Sequence, residues 1–396
     1  MKKQTQAIHL EYERRDAYDS LSVPVYNTLA YEFDNAAVMA EAFTDKIKAP
    51  DYSRVENPTV TNLERRVAAL TDAAHATAFN SGMAAISNTL MALAAQGKNI
   101  VTSKHLFGNT YALLVATLRR FGVKVRLRDL TNIEAVREAI DDDTCCVFLE
   151  ILTNPQLEVA DLKAISEVAH EKNVPLVVDS TVIPFTQFSA KSLGVDIEVV
   201  SSSKYVSGGA TSLGGLVIDY GTPYNGDFTK RLYGEMLFNF GAYMTPQVAY
   251  MQTIGLETLD ARYRVQSGNA LELAKKLRSL PQIQYVNYVG LEDNPYHELA
   301  QRQFGKTAGA MICIDLESKE ACFSFLNNLK LIHRATNLFD NRSLAIHPAS
   351  TIFGAFSESM RKSMDVKDTT IRLSVGLEDV DDLFEDIKQA VEEIQK

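Results

Sequence analysis

The chain has 396 residues, 46% of them hydrophobic, and a formal net charge of −10 from 50 acidic and 40 basic side chains. That length suits two domains, or one large α/β domain with an appendage, and an acidic chain without a block of lysines or arginines excludes the footprint of a nucleic-acid binder. No apolar stretch approaches the roughly 20 residues that span a bilayer, and the start, MKKQTQAIHLEYERRD, lacks the apolar core of a signal peptide, so a cytoplasmic location and small-molecule partners are expected.

Residues 1–58 combine Pro24 and many aromatics with weak periodicity, so they are expected to form an arm. Residues 59–245 alternate helical periodicity with short apolar runs, the pattern of a doubly wound, mostly parallel sheet flanked by helices. The predicted strands are HATAFN, NIVTS, VKVRLRD, CCVFLEI, VPLVVDS and DIEVVSS, several too continuously apolar to have a wet face. After AFNSGM a helix is predicted from Met83, Ile86, Leu90 and Leu93, and in DLKAISEVAHEK another from Leu162, Ile165, Val168 and Ala169. Residues 246–396 change character and read as a smaller α+β unit: a long helical stretch through ALELAKKLRSLP, then AGAMICIDL, SKEACFSFLNNLK, TIRLSVG and a closing helix from DVDDLF. Cys145, Cys146, Cys313 and Cys322 show no CxxC or Cys/His ligand spacing, so they read as buried thiols and no metal site is expected.

Ligands of open α/β sheets gather beyond the carboxyl ends of the strands. Three features end strands here. Asp179 closes PLVVD, Lys204 follows DIEVVSSS, and the turn Ser81-Gly82-Met83 opens a helix whose free amides and positive dipole end suit an anion. Taken singly, each has an ordinary reading as a cap, a turn residue or a solvated lysine. Neither GxxxxGK[ST] nor GxGxxG is present. Together they fit pyridoxal 5′-phosphate, which needs a lysine for its Schiff base and an acid beside its pyridine nitrogen. Burial at the end of an apolar strand lowers a lysine's pKa toward the neutral form that attacks an aldehyde.

The motifs YSRVENPTVTNLE, NSGMAA, EILTNP, VVDST, SSSKY and IRLSVGLED, in this order over nearly the whole chain, resemble the Cys/Met-metabolism (trans-sulfuration) family of pyridoxal-phosphate enzymes, and most of all its O-acetylhomoserine sulfhydrylases. The resemblance implies a fold-type I enzyme with a large cofactor-binding domain and a smaller C-terminal α+β domain. It implies that Lys204 forms the Schiff base and shuttles protons, that Asp179 pairs with the pyridine nitrogen and that Asn154 lies near the ring hydroxyl. Gly82 and Met83 would bind the phosphate with Ser201 and Ser203, beside Ser81 and Thr181. Tyr52 and Arg54 would reach it from a neighbouring subunit, in a catalytic dimer paired into a homotetramer. Arg372 would grip the substrate's α-carboxylate, with Asn337 as a second ligand.

Within the family, GGATSLGGLVID and NLFDNRSLAIHPAST resemble the sulfhydrylase branch, with Asn337 where the lyases carry serine and Asn109 where methionine γ-lyases place a cysteine. The substrates implied are an O-acyl-homoserine and a sulfur donor. Methionine or cystathionine γ-lyase, cystathionine γ-synthase and a catalytically impaired cofactor-binding protein are the alternatives. Several positions depart from the family pattern. Phe107 replaces the ring-stacking tyrosine and has no phenol, Gly208-Gly209 replaces Gly-His, Leu152 replaces a proline, and Phe339 replaces a glycine and is expected to narrow the pocket. The segment 220–240 reads as a loop, shorter than in many sulfhydrylases. His333 and His347 read as structural.

Overall fold

The larger sheet has seven strands: β1 (His75–Phe79), β2 (Asn99–Ser103), β3 (Lys124–Arg128), β4 (Thr144–Glu150), β5 (Leu176–Asp179), β6 (Ile197–Val200) and β7 (Gly215–Asp219). Their spatial order is β1-β7-β6-β5-β4-β2-β3. The computed structural model describes residues 1–10, 16–44, 46–306 and 308–395; positions 11–15 and 45 of the expected arm, and 307 and 396 of the C-terminal unit, lie outside them. The first six strands coincide with the predicted apolar runs. Strand β7 does not: it lies in GGATSLGGLVID, where no strand is predicted, and it inserts between β1 and β6, antiparallel to both. The remaining pairs are parallel. Between β6 and β7 the chain makes only a three-residue 3-10 turn, so no crossover helix carries it back to the starting edge and β7 runs the other way.

Both faces of this sheet are dry. Val177, Ile197 and Val199 pack toward the helix Gly82–Leu93. Val147, Leu149 and Val178 pack on the other side, in one cluster with residues of the helices Pro58–Thr71 and Leu162–Glu171. The latter begins at Asp161, whose side chain accepts from Ala164 N at 3.1 Å, and it buries Leu162, Ile165, Val168 and Ala169 as their spacing predicts. Each such aliphatic side chain contributes about 2 kcal/mol of burial free energy.

A second sheet is built from β8 (Tyr285–Asn287), β9 (Met311–Asp315), β10 (His333–Arg334), β11 (Leu344–Ile346) and β12 (Thr370–Ser374), in the order β10-β11-β12-β9-β8. Strand β12 is central and antiparallel to both neighbours. The helices Lys319–Asn328 and Val380–Glu392 pack against each other in this region, and the helix Leu259–Leu277 packs on the second of them. The helix Pro246–Glu257, at the start of the expected C-terminal unit, packs on the helix Pro58–Thr71 and on the turn after Lys204.

The first helix, Lys3–His9, is tied to the larger sheet's surroundings: Lys3 Nζ donates to Phe185 O at 3.2 Å and Phe188 O at 2.9 Å. Asn57 caps the helix Pro58–Thr71 and donates to Tyr26 O at 2.8 Å. The segment 228–240 is helical, with a π-helical stretch over Leu232–Leu237, where the sequence reads as a loop. Cys145 is partly buried and Cys146, Cys313 and Cys322 are buried, all as free thiols. Among the described residues no helix is long and apolar enough to cross a membrane, and no group of histidine, cysteine and acidic side chains could hold a metal ion.

Candidate active site

At the carboxyl ends of β4, β5 and β6 lies a cavity of about 330 Å³. Lys204 enters it from the turn after β6. That turn is fixed from behind by Arg262, which donates to Tyr205 O at 2.8 Å and Gly255 O at 2.6 Å. Lys204 Nζ donates to Asn337 Oδ1 at 2.8 Å. Burial, and then the charge of Arg372, bring its pKa down to about 8, so its neutral form becomes accessible near neutral pH.

Asp179 ends β5, and Glu150 ends β4 directly opposite it in register. Thr181 N donates to Asp179 Oδ1 at 2.9 Å. Burial raises the Asp179 carboxyl above its ordinary range. Burial, and then the neighbouring Asp179, push Glu150 up to about 8. Asp179 has no ion-pair partner among the described residues, so this end of the cavity favours a cationic or protonated group.

The opposite wall is the start of the helix Gly82–Leu93. Ser81 caps it, its Oγ accepting from Ala84 N at 3.1 Å. A Cβ on Gly82 would lie 2.5 Å from Ser201 Cβ, so glycine is what allows the helix start to approach the β6 turn. Met83, Thr181, Ser201 and Ser203 line the same region. Thr181 Oγ1 accepts from Ser201 N at 2.8 Å. The Ser203 hydroxyl donates to Gly214 O at 3.1 Å and accepts from Gly214 N at 2.9 Å, so it also fastens the following loop.

From the second sheet comes Arg372, buried at the middle of β12. Its NH1 donates to Asn154 Oδ1 at 3.2 Å and its NH2 to Asn337 O at 3.3 Å, while Nε has no partner among the described residues. It makes no ion pair with a carboxylate among them, and burial lowers its pKa to about 10. A buried guanidinium held only by neutral acceptors is prepared for an anion.

The structure thus brings Ser81, Gly82, Met83, Phe107, Asn154, Asp179, Thr181, Ser201, Ser203, Lys204 and Arg372 to one cavity. Asn337 reaches it through its bond to Lys204, with Thr336 and Leu338 on either side in the wall. Tyr52 and Arg54 do not line it. Tyr52 is half-exposed, and Arg54 stacks over the Tyr52 ring at 5.4 Å and donates to Phe238 O. The expectation for Phe339 fails: its ring is fully buried and stacks on Tyr205 at 4.0 Å, outside the cavity wall. Its φ of 57° turns the side chain into the core, which accounts for glycine as the usual residue there. His347 bonds Ser350 Oγ and Asp368 O, both at 2.8 Å, and His333 is exposed on β10; neither lines the cavity.

Glu150, Val182, Leu213, Thr336, Leu338 and Ile352 also line the wall without having been singled out from the sequence. For Glu150 a signal existed, since it ends an apolar run just as Asp179 does. The aliphatic residues carry no chemical signature, and only the fold gathers them.

A lysine close to neutrality, a partly buried acid with no ion-pair partner among the described residues and a helix start opened by Gly82 together suit pyridoxal phosphate. The comparisons agree. The family described as Cys/Met metabolism PLP-dependent enzyme matches residues 4–392. The chain is 37% identical to an L-methionine gamma-lyase from Fusobacterium nucleatum subsp. polymorphum, over 98% of each chain. It is 31% identical to the O-acetyl-L-homoserine sulfhydrylase of Corynebacterium glutamicum, over 97% of this chain and 95% of that one. Among solved structures, a provisionally named O-acetylhomoserine (thiol)-lyase from Campylobacter jejuni superposes with a TM-score of 0.94 at 35% identity, over 99% of this chain and 100% of that one, and carries an N′-pyridoxyl-lysine 5′-monophosphate. The chain belongs to the Cys/Met-metabolism family of pyridoxal-phosphate-dependent enzymes.

Proposed function

We propose, from that membership, that this enzyme performs γ-replacement on an O-acyl-homoserine, converting O-acetylhomoserine and sulfide to homocysteine and acetate. The observation that carries the reading is the convergence of Lys204, Asp179 and Arg372 on one cavity. The choice of acetyl ester and sulfide is supported by the near full-length likeness to the Campylobacter and Corynebacterium proteins.

In this reading Lys204 Nζ is the covalent anchor for the cofactor's aldehyde and Asp179 faces its pyridine nitrogen. Asn154 would serve the ring hydroxyl, and Phe107 would offer an apolar face to the ring but no phenol proton. Ser81, Gly82, Met83, Thr181, Ser201 and Ser203 surround the phosphate, with Tyr52 and Arg54 completing the site of a second subunit in a dimer that pairs into a tetramer. When bound, the cofactor supplies an electron sink for the pair left at the substrate's Cα. Arg372 takes the α-carboxylate, for which its free Nε and two weakly held terminal nitrogens are available. When not bonded to the cofactor, Lys204 would take the Cα proton at Nζ, as its pKa of about 8 favours. Asn337 gives the released Nζ a resting partner.

A second reading, γ-elimination, is favoured by the 37% identity to the Fusobacterium L-methionine gamma-lyase. One assay separates the two. The purified protein is given O-acetylhomoserine, O-succinylhomoserine, cystathionine and methionine, each with and without sulfide. Sulfide-dependent homocysteine from the acetyl ester is the expected result; 2-oxobutyrate and ammonia formed without a nucleophile would replace γ-replacement with a lyase. Full turnover by Lys204→Ala would overturn both.

A further inference from the structure

Glu150 is a carboxyl group inside the cavity to which the proposed chemistry gives no task. It is buried, stands at the last position of β4, and lies opposite Asp179 in the parallel ladder, so the two carboxyl groups share one face of the sheet. Its oxygens are used differently. Oε1 accepts from Phe107 N at 2.5 Å, and Oε2 accepts from Asn154 N at 3.3 Å. Phe107 is the residue before the short helix Gly108–Ala112, where no side chain caps the helix start, and Asn154 belongs to the turn after β4. A single side chain therefore ties together two loops that enter the cavity from different strand ends.

We infer that Glu150 is a positioning residue: by holding the backbones of Phe107 and Asn154 while standing beside Asp179, it sets the cofactor ring's stacking face, hydroxyl partner and nitrogen partner in register with one another. A core glutamate serving stability alone has no reason to lie at a cavity surface beside a second acid, since an unpaired pair of buried carboxyl groups is an unfavourable arrangement. Burial and Asp179 together push its pKa up to about 8, so the brace is compatible with Asp179 serving as the anion of the pair. The other titratable groups lining this cavity are Lys204 and Arg372.

The inference rests on the cavity being the cofactor site, and the test separates the two. Apoprotein of the wild type and of Glu150→Ala, Glu150→Gln and Glu150→Asp is titrated with pyridoxal 5′-phosphate. Affinity, the pH midpoint of the bound cofactor's visible absorbance, and apoprotein Tm are recorded. Glu150→Ala is expected to weaken affinity by about tenfold or more, the equivalent of one buried hydrogen bond, and to displace the midpoint. Glu150→Gln, which keeps the shape and one acceptor oxygen but turns an NH2 toward the other backbone donor, is expected to fall between alanine and the wild type in both. Glu150→Asp, too short to span both amides, is expected to resemble alanine despite its charge, and with Glu150→Gln it decides the matter if the alanine variant does not fold. Wild-type affinity and midpoint in all variants would overturn the inference, as would affinity lost only in step with Tm at an unmoved midpoint. Failure of the wild type to take up the cofactor at Lys204 would instead overturn the site assignment.

Discussion

The seven-stranded sheet meets the cavity with the ends of its strands, whereas the five-stranded sheet meets it with the middle of one. From the first come Glu150, Asp179 and Lys204, together with the helix start at Ser81 and Gly82, all placed by short turns beyond a parallel ladder. Many small contributions converge there, so the loss of one hydroxyl leaves several others. From the second comes Arg372, fixed between β11 and β9 by the ladder on both sides, with the segment around Asn337 beside it. One guanidinium, buried with no counter-ion among the described residues, would do there what several groups share on the other side. In the proposed reading, anchoring the cofactor is a distributed task, and gripping the substrate rests on one rigid side chain.

The comparison can be broken or sharpened by substitution. Lys204→Ala has the largest expected effect, a fall in kcat of roughly 10³-fold or more, read as product formation at saturating substrate, with the cofactor's visible absorbance altered. Asp179→Ala is expected to lower kcat by about 10²- to 10³-fold, again with altered absorbance. Arg372→Ala is expected to reduce kcat/KM about 10²-fold while the absorbance before substrate stays at the wild-type position. Altered cofactor absorbance in Arg372→Ala would erase the division of labour between the sheets.

Phe339→Ala tests the seam between them. Its ring stacks on Tyr205, next to the lysine, and its backbone N–H donates to Ser374 Oγ at 2.7 Å. Emptying that position is expected to lower stability by about 3 kcal/mol, measured as a denaturant midpoint, with KM changed far less than by Arg372→Ala because the ring is not in the wall. The smallest effect concerns the apoprotein. Lys204 has a folded pKa of about 8 against the ordinary lysine value of 10.5, so below pH 8 the folded state carries the full penalty of a buried ammonium. The penalty fades as pH rises, because the folded state releases its proton while the unfolded state still holds it. Lys204→Met is therefore expected to stabilise the apoprotein by about 2 kcal/mol at pH 7, an advantage that shrinks on the way to the unfolded pKa. Thermal melts at several pH values check both sign and window.

Lys204, Asp179 and the Ser81-Gly82-Met83 turn were legible because each interrupts or ends an apolar run, and a polar residue at the end of a dry strand needs a reason. Glu150 had the same signature and was legible as part of EILTNP, but nothing in the order of residues says that its oxygens meet Phe107 and Asn154. Phe339 was misread because a one-dimensional pattern says that a bulky residue replaces a glycine, not which way a left-handed backbone turns its ring.

Period and apolar continuity by themselves determined six of the larger sheet's strands and two of the helices between them, because a strand buried on both faces can tolerate few polar residues. They also determined that a lysine, an acid and a helix start lie at strand ends. The tertiary structure alone decided that β7 runs antiparallel between β1 and β6, that β4 and β5 bring two carboxyl groups into register, and that β12 carries Arg372 into a cavity formed largely by another sheet. Strand order, register and the meeting of the two sheets depend on which surfaces exclude water together, and that is a property of the assembled chain rather than of any stretch of it.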